Sequence, residues 1–130
     1  MTNSSGLSAE GDEEVISLNE VLDMIMPIIE PSPIRRVIVF GSYAKGTALQ
    51  NSDIDLVIDS AGELDGIEFF IYADKLASAL PLKSDIYELI EIKKPSSLYN
   101  RIMEEGVVIF DRRNPQIRLN SAFHRRILLS

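Results

Sequence analysis

Residues 37–40 (Val-Ile-Val-Phe) form an unbroken apolar run, bounded upstream by Pro31-Ser32-Pro33 and downstream by Gly41-Ser42. Such a run predicts a strand covered on both faces. Before it, Val21, Leu22, Ile25, Ile28 and Ile29 recur at helical spacing behind Ser17-x-x-Glu20. That is the pattern of a capping box, so a scaffold helix is predicted from Ser17. Pro27 is expected to kink it or mark its last turn, and the Pro-Ser-Pro break ends it. Residues 43–49 predict one or two helical turns. Asn51-Ser52 then turns the chain into a second strand, 53–59, apolar at Ile54, Val57 and Ile58. After a loop at 61–66, residues 67–80 predict an amphipathic helix with Phe69, Phe70, Ala73, Leu76, Ala77 and Leu80 inward, ended by Pro81. A third strand is predicted over 83–92, with Asp85 and Tyr87 on one face and Ile86 on the other. Ser96 and Ser97 cap a helix that runs to Glu105 and buries Leu98, Ile102 and Met103. Gly106 is its C-cap, and 107–110 is a fourth strand. The sum is an α/β or α+β chain: a single sheet of about four strands flanked by helices, without internal repeats.

The ends differ from this body. Residues 1–14 are small, polar and acidic and are predicted to be disordered. Residues 112–130 form a basic tail holding five arginines and no acid. Within it, 116–119 is a candidate edge strand and 121–129 a basic amphipathic turn or two, and a partner-docking tail fits equally. The net charge of −7 therefore hides an asymmetry: the other 111 residues carry 8 basic against 20 acidic side chains, a net −12. A body this acidic repels nucleic acid and suits basic partners and divalent cations. The chain has no cysteine, which excludes disulfides, thiolate zinc sites and thiol catalysis and fits a cytoplasmic protein. Nothing supports a hydrolase triad on the lone His124. No apolar run approaches the ~20 residues that span a bilayer, and no signal peptide opens the chain. At 45% hydrophobic and 25% charged, 130 residues suffice for one soluble domain with a real core.

The chemistry gathers at 41–59. Gly41 has no Cβ, so a ligand can approach its backbone closely, and Ser42 adds a hydroxyl beside exposed N–H groups, a seat for phosphate. Asp53 and Asp55 stand two apart on a predicted strand, so both carboxylates project from one face. They repel each other unless a metal or a proton lies between them. Taken alone, the two aspartates fit a plainer pattern better, in which Asp53 caps the turn with Ser52 and Asp55 faces solvent. Asp59, at the far end, reads as a strand terminator rather than a ligand.

Gly41-Ser42, ten residues, then Asp53-x-Asp55 resembles the signature of the polymerase-β-like nucleotidyltransferase superfamily. GSYAKGTALQNSDIDLVID is similar to the minimal nucleotidyltransferases (MNT) found beside HEPN-domain toxins, and the likeness runs from about residue 17 to 111. The resemblance implies the polymerase-β-like fold over a domain of residues 15–111. It also implies a site in which Asp53 and Asp55 bridge two Mg²⁺ ions (Mn²⁺ as a substitute), set about 3.5–4 Å apart. A third acid holds the catalytic ion and helps deprotonate the acceptor. Asp85 matches the family position better than Glu88 or Glu91. Gly41 and Ser42 would grip the phosphates of ATP or another NTP, with Lys45 and Ser52 adding contacts. The family's main variant has a basic residue where Tyr43 stands, so no phosphate contact is expected from that side chain. By resemblance, the chain would move NMP, foremost AMP, onto a tyrosine hydroxyl of a HEPN-type toxin and so act as an antitoxin. The alternatives are a catalytically silent antitoxin that neutralises by binding alone, and a small-molecule transferase like the aminoglycoside nucleotidyltransferases. Those enzymes carry a second helical domain for which this chain has no room, so the acceptor surface is expected to come from a partner protein.

Overall fold

In the computed structural model, which describes residues 15–114 and 125–126, the capping box at Ser17 closes in both directions. Ser17 Oγ accepts from the Glu20 N–H at 3.0 Å, and Glu20 Oε1 accepts from the Ser17 N–H at 2.7 Å. Helix α1 (Leu18–Ile29) follows, with Pro27 in its last turn. It buries Val21, Leu22, Ile25 and Ile29 against the sheet, as a scaffold helix should. The Ile29 carbonyl accepts locally from the Ser32 N–H and hydroxyl, and carbonyls here and in the loop beyond are also met from far along the chain. The Arg112 guanidinium donates to the carbonyls of Ile29 (2.7 Å), Glu30 (3.1 Å), Ser32 (2.9 Å) and Ile34 (2.7 Å) while lying over the Phe110 ring.

Strand β1 (Arg36–Phe40) is central and buried on both faces, as its apolar run requires. It pairs antiparallel with β2 (Ile54–Asp59) on one side and β4 (Val107–Asp111) on the other. Strand β3 (Ser84–Glu88) runs parallel to β2, and β5 (Arg125–Arg126) pairs antiparallel with Val107 and Val108 of β4. The mixed sheet has the order β3-β2-β1-β4-β5. One face carries Val37, Val39, Ile54, Leu56 and Ile58 against α1 and α3 (Gly66–Ala79). The other carries Ile38, Phe40, Val57 and Val108 against Ile102 of α4 (Ser97–Glu105). These side chains alternate along β1 and β2, so a helix lies over each face.

The elements predicted between residues 17 and 110 all form, with corrections at their edges. The predicted one or two turns after Ser42 are a single turn, α2 (Ser42–Lys45), closed at Gly46 in the left-handed conformation (φ 76°). The second strand begins at Ile54, which leaves Asp53 in the turn. The third stops at Glu88, where Leu89–Glu91 coil into a 3₁₀ turn. Its reason is Glu88, which is buried and accepts hydrogen bonds from the Ser60 hydroxyl (2.7 Å) and N–H (3.4 Å), tying the strand end to the loop after β2. Phe70 does not face inward. It is 69% exposed, because Leu76, the one fully buried side chain of α3, sets a face that contains Phe69 but not its neighbour. Ser96 caps α4 and Gly106 closes it, both as predicted. Of the tail, the candidate strand at 116–119 lies outside the described residues, and Arg125–Arg126 is strand rather than helical turn.

Candidate active site

The register of the sheet brings the carboxylates together. Asp55 stands opposite Phe40 of β1 on one side and opposite Asp85 of β3 on the other. All three belong to the face covered by α4, by the alternation that puts Val57 and Tyr87 there too. Burial first, then the negative charge of Asp85, holds the Asp55 carboxyl above its ordinary pKa. Arg101 pulls it the other way, while Asp53 adds repulsion. Asp53 is therefore close enough to act on Asp55, but from the exposed turn before β2. The reading of both aspartates as strand residues is corrected to one strand residue and one turn residue.

Gly41 lies directly beneath the Asp55 carboxylate. Its φ of 80° is in the left-handed region, and a Cβ there would stand 2.6 Å from Asp55 Oδ2. Glycine is thus required both by the backbone and by the carboxylate packed on it. The Gly41 N–H donates to Glu105 Oε1 at 3.2 Å, and the same side chain meets Lys45 Nζ and Arg101 Nη2, each at 3.7 Å. The half-buried Ser42 hydroxyl makes no hydrogen bond with the described residues. Ser52 Oγ accepts the Leu49 N–H at 2.8 Å and so shapes the turn that presents Asp53. Asp59 pairs with Arg36 at 3.1 Å, away from the carboxylate pair, consistent with its reading as a terminator. Glu88 is spoken for by Ser60, and Glu91 is exposed on the 3₁₀ turn. Tyr43 is packed in the core and Tyr87 lies against Phe40, ring centroids 5.9 Å apart. Burial raises the pKa of both phenols, so neither is poised as a nucleophile. Arg101 and Glu105 had no signal in sequence beyond an i, i+4 charge pair on a predicted helix.

Asp55 and Asp85 offer the hard oxygen donors a divalent cation takes, and Mg²⁺ commonly uses one or two carboxylates and completes its shell with phosphate oxygens and water. Burial and the facing charge of Asp85 raise the Asp55 pKa, a cost that a bound cation would relieve. The residues present fit the ion, although among the described residues no three acidic or imidazole side chains close into a ready-made ligand cluster.

A mixed sheet with helices on it, a glycine turn ending the central strand, and carboxylates facing each other on the next two strands define the class as a nucleotidyltransferase. The chain belongs to the Polymerase beta, Nucleotidyltransferase family, whose model matches residues 23–115. It is 39% identical over 71 residues to the protein adenylyltransferase MntA of Shewanella oneidensis; the match covers 54% of this chain and 49% of MntA, so it spans about half of that relative. Among solved structures, it resembles a chain of a toxin-antitoxin crystallised with AMP-PNP (TM-score 0.57, 29% identity, 78% of this chain and 77% of that one). It also resembles a chain of the complex between the tri-AMPylated HEPN toxin of S. oneidensis and its MNT antitoxin (TM-score 0.52, 25% identity, 73% of this chain and 70% of that one).

Proposed function

We propose that this chain is a metal-dependent protein adenylyltransferase that moves AMP from ATP onto a hydroxyl of a HEPN-type toxin and thereby acts as its antitoxin. The observation that carries the reading is the facing of Asp55 and Asp85 across the β2–β3 register, with the Asp55 carboxylate packed on Gly41. The named activity of the Shewanella relative and the AMPylated toxin in the similar complex supply the nucleotide and the acceptor class. ATP as substrate argues for a cytoplasmic setting. No helix among the described residues is long and apolar enough to cross a membrane.

In this reading the acceptor oxygen attacks the α-phosphorus in line, the bond to the bridging oxygen breaks, and pyrophosphate departs. The acceptor proton passes to the Asp85 carboxylate, which faces the reacting centre from β3. Asp55, with Asp53 at the mouth, would hold divalent cation, and the Gly41 N–H and Ser42 hydroxyl orient the tail that leaves. When bound, Mg²⁺ supplies neutralisation of the charge that develops on attacking and leaving oxygens. Lys45 lies within reach of the same turn; Ser52 acts through the turn it shapes.

The exposure of Asp53 and the lack of a closed three-carboxylate cluster among the described residues favour one second reading, neutralisation by binding alone. The two separate on one experiment. The purified chain is mixed with its toxin, α-labelled ATP and Mg²⁺, and both proteins are weighed by mass spectrometry. An added AMP on the toxin, lost with Asp53→Asn and Asp55→Asn together with protection, is expected. Full protection by that double variant would establish the binding-only reading instead.

A further inference from the structure

The Gly41 turn already holds an anion. Glu105, at the end of α4, places its carboxylate on the Gly41 N–H at 3.2 Å and between Lys45 and Arg101, each 3.7 Å away. A backbone N–H and two cations converging on one carboxylate are the donors that receive a phosphate oxygen. They come from three elements: the end of β1, α2 and α4. Arg101 is steadied over the Phe40 ring, 5.3 Å from its centroid, with Nη2 3.8 Å from where a Cβ on Gly41 would stand. The Glu105 side chain is only 20% exposed, whereas Lys45 and Arg101 are about half exposed, at 52% and 51%. The carboxylate thus sits inside, on the N–H, and both cations reach past it toward solvent.

We propose that Glu105 is a built-in stand-in for the triphosphate tail: it fills the seat in the nucleotide-free protein, and the incoming tail displaces it and takes Arg101 as well as Lys45. This rests on the Gly41 turn being the phosphate seat. Releasing the carboxylate costs every ligand that takes the seat the same free energy, so Glu105 lowers affinity for the tail without ranking one phosphate ligand over another. Arg101 is a phosphate-binding residue of the site. A purely structural Glu105 would instead be a buttress that holds α4 to the turn.

The test is calorimetric titration of the full chain, in Mg²⁺, with tripolyphosphate and separately with AMP. Exposed ion pairs are individually modest, so Glu105→Gln is expected to bind tripolyphosphate about 3- to 10-fold tighter. AMP, whose phosphate would displace the same carboxylate, should gain by about the same factor. Arg101→Ala should weaken tripolyphosphate by a similar factor and Arg101→Lys by less. In the double variant Glu105→Gln/Arg101→Ala most of the gain should vanish, the signature of two residues sharing one ligand. Melting curves of each variant separate these effects from loss of fold. Glu105→Gln binding tripolyphosphate no better than the parent, or worse, overturns the proposal in favour of the buttress while leaving the phosphate seat in place. Absence of tripolyphosphate binding in every variant overturns both.

Discussion

Asp55 is the residue on which the site's stability and its chemistry pull apart. Its folded pKa lies above the ordinary 3.8, chiefly through burial and the facing charge of Asp85. A carboxyl with a raised folded pKa takes up a proton on folding, so it favours the fold below its unfolded pKa and loses that contribution as pH rises through the folded value. At neutral pH the ionised group works against the fold. Asp55→Asn is therefore expected to melt higher than the parent in metal-free buffer at pH 7, on the order of 1 kcal/mol, as is common where function keeps a strained group. The gap should close as the pH falls toward 4. Nucleotide transfer by the same variant should drop about 10³-fold, the scale of losing a group that stabilises transition-state charge. Thermal melts across pH and a labelled-ATP assay check both halves, and a variant that melts lower at pH 7 would refute the first. Gly41→Ala sits under the same carboxylate. The added methyl meets Asp55 Oδ2 at 2.6 Å on a backbone with φ of 80°, so either the turn or the carboxylate must move. The expected cost is about 1–3 kcal/mol in stability, with transfer falling about 10²-fold from displaced geometry. Urea unfolding and initial rates measure the two.

At the scale of elements, Arg112 shows how a distant residue finishes a helix. Its four carbonyl partners at the end of α1 and in the loop beyond are groups the helix cannot satisfy for itself. Arg112→Ala is expected to cost about 2–3 kcal/mol in chemical denaturation, in the range of hydrogen bonds from a charged donor. Arg112→Lys should recover only part, since an ammonium cannot fork toward several carbonyls; full recovery would show that charge alone was at work. Neither the reach of Arg112 back to α1 nor the reach of Glu105 to Gly41 was legible in the sequence, because each joins residues more than sixty positions apart without a local pattern. What was legible was short-range. The capping box, the glycine turn, the doubly buried β1 and the shared face of Asp85 and Tyr87 each follow from spacing over a few residues. The pairing of Asp55 with Asp85 was reachable only through resemblance, since no periodicity sets the register of two parallel strands. Asp53 was misplaced onto β2 because its alternation with Asp55 is perfect, while the strand's hydrogen bonds start only at Ile54, which donates to the Lys83 carbonyl. Phe70 was misread because α3 buries only a narrow stripe through Leu76, and the pattern does not say which of two adjacent aromatics lies on it.

The molecule as a whole is an acid, with a net charge of −7, and it gathers carboxylates at one end of its sheet. Self-repulsion of that kind weakens a compact state, and any added salt relieves part of it by screening. A cation that is bound rather than merely screening does more, because it stabilises only the folded chain that assembles Asp55 and Asp85. The two effects separate at matched ionic strength. MgCl₂ is expected to raise the melting temperature beyond what NaCl does, by about 1.4 kcal/mol when Mg²⁺ is ten times its dissociation constant. Asp55→Asn should abolish that excess while keeping the screening part, and the exposed Glu91→Gln should keep both. MnCl₂ should behave as MgCl₂, since both ions accept carboxylate oxygens. The excess should also fade as the pH is lowered, because a proton on the Asp55–Asp85 pair and a divalent ion compete for the same oxygens. Equal effects of MgCl₂ and NaCl at pH 7 would mean that the facing aspartates bind no cation in the free protein and need the phosphates of a nucleotide to complete the shell. In that case the excess should appear only when tripolyphosphate is present, and its failure to appear there would count against a metal at this site altogether.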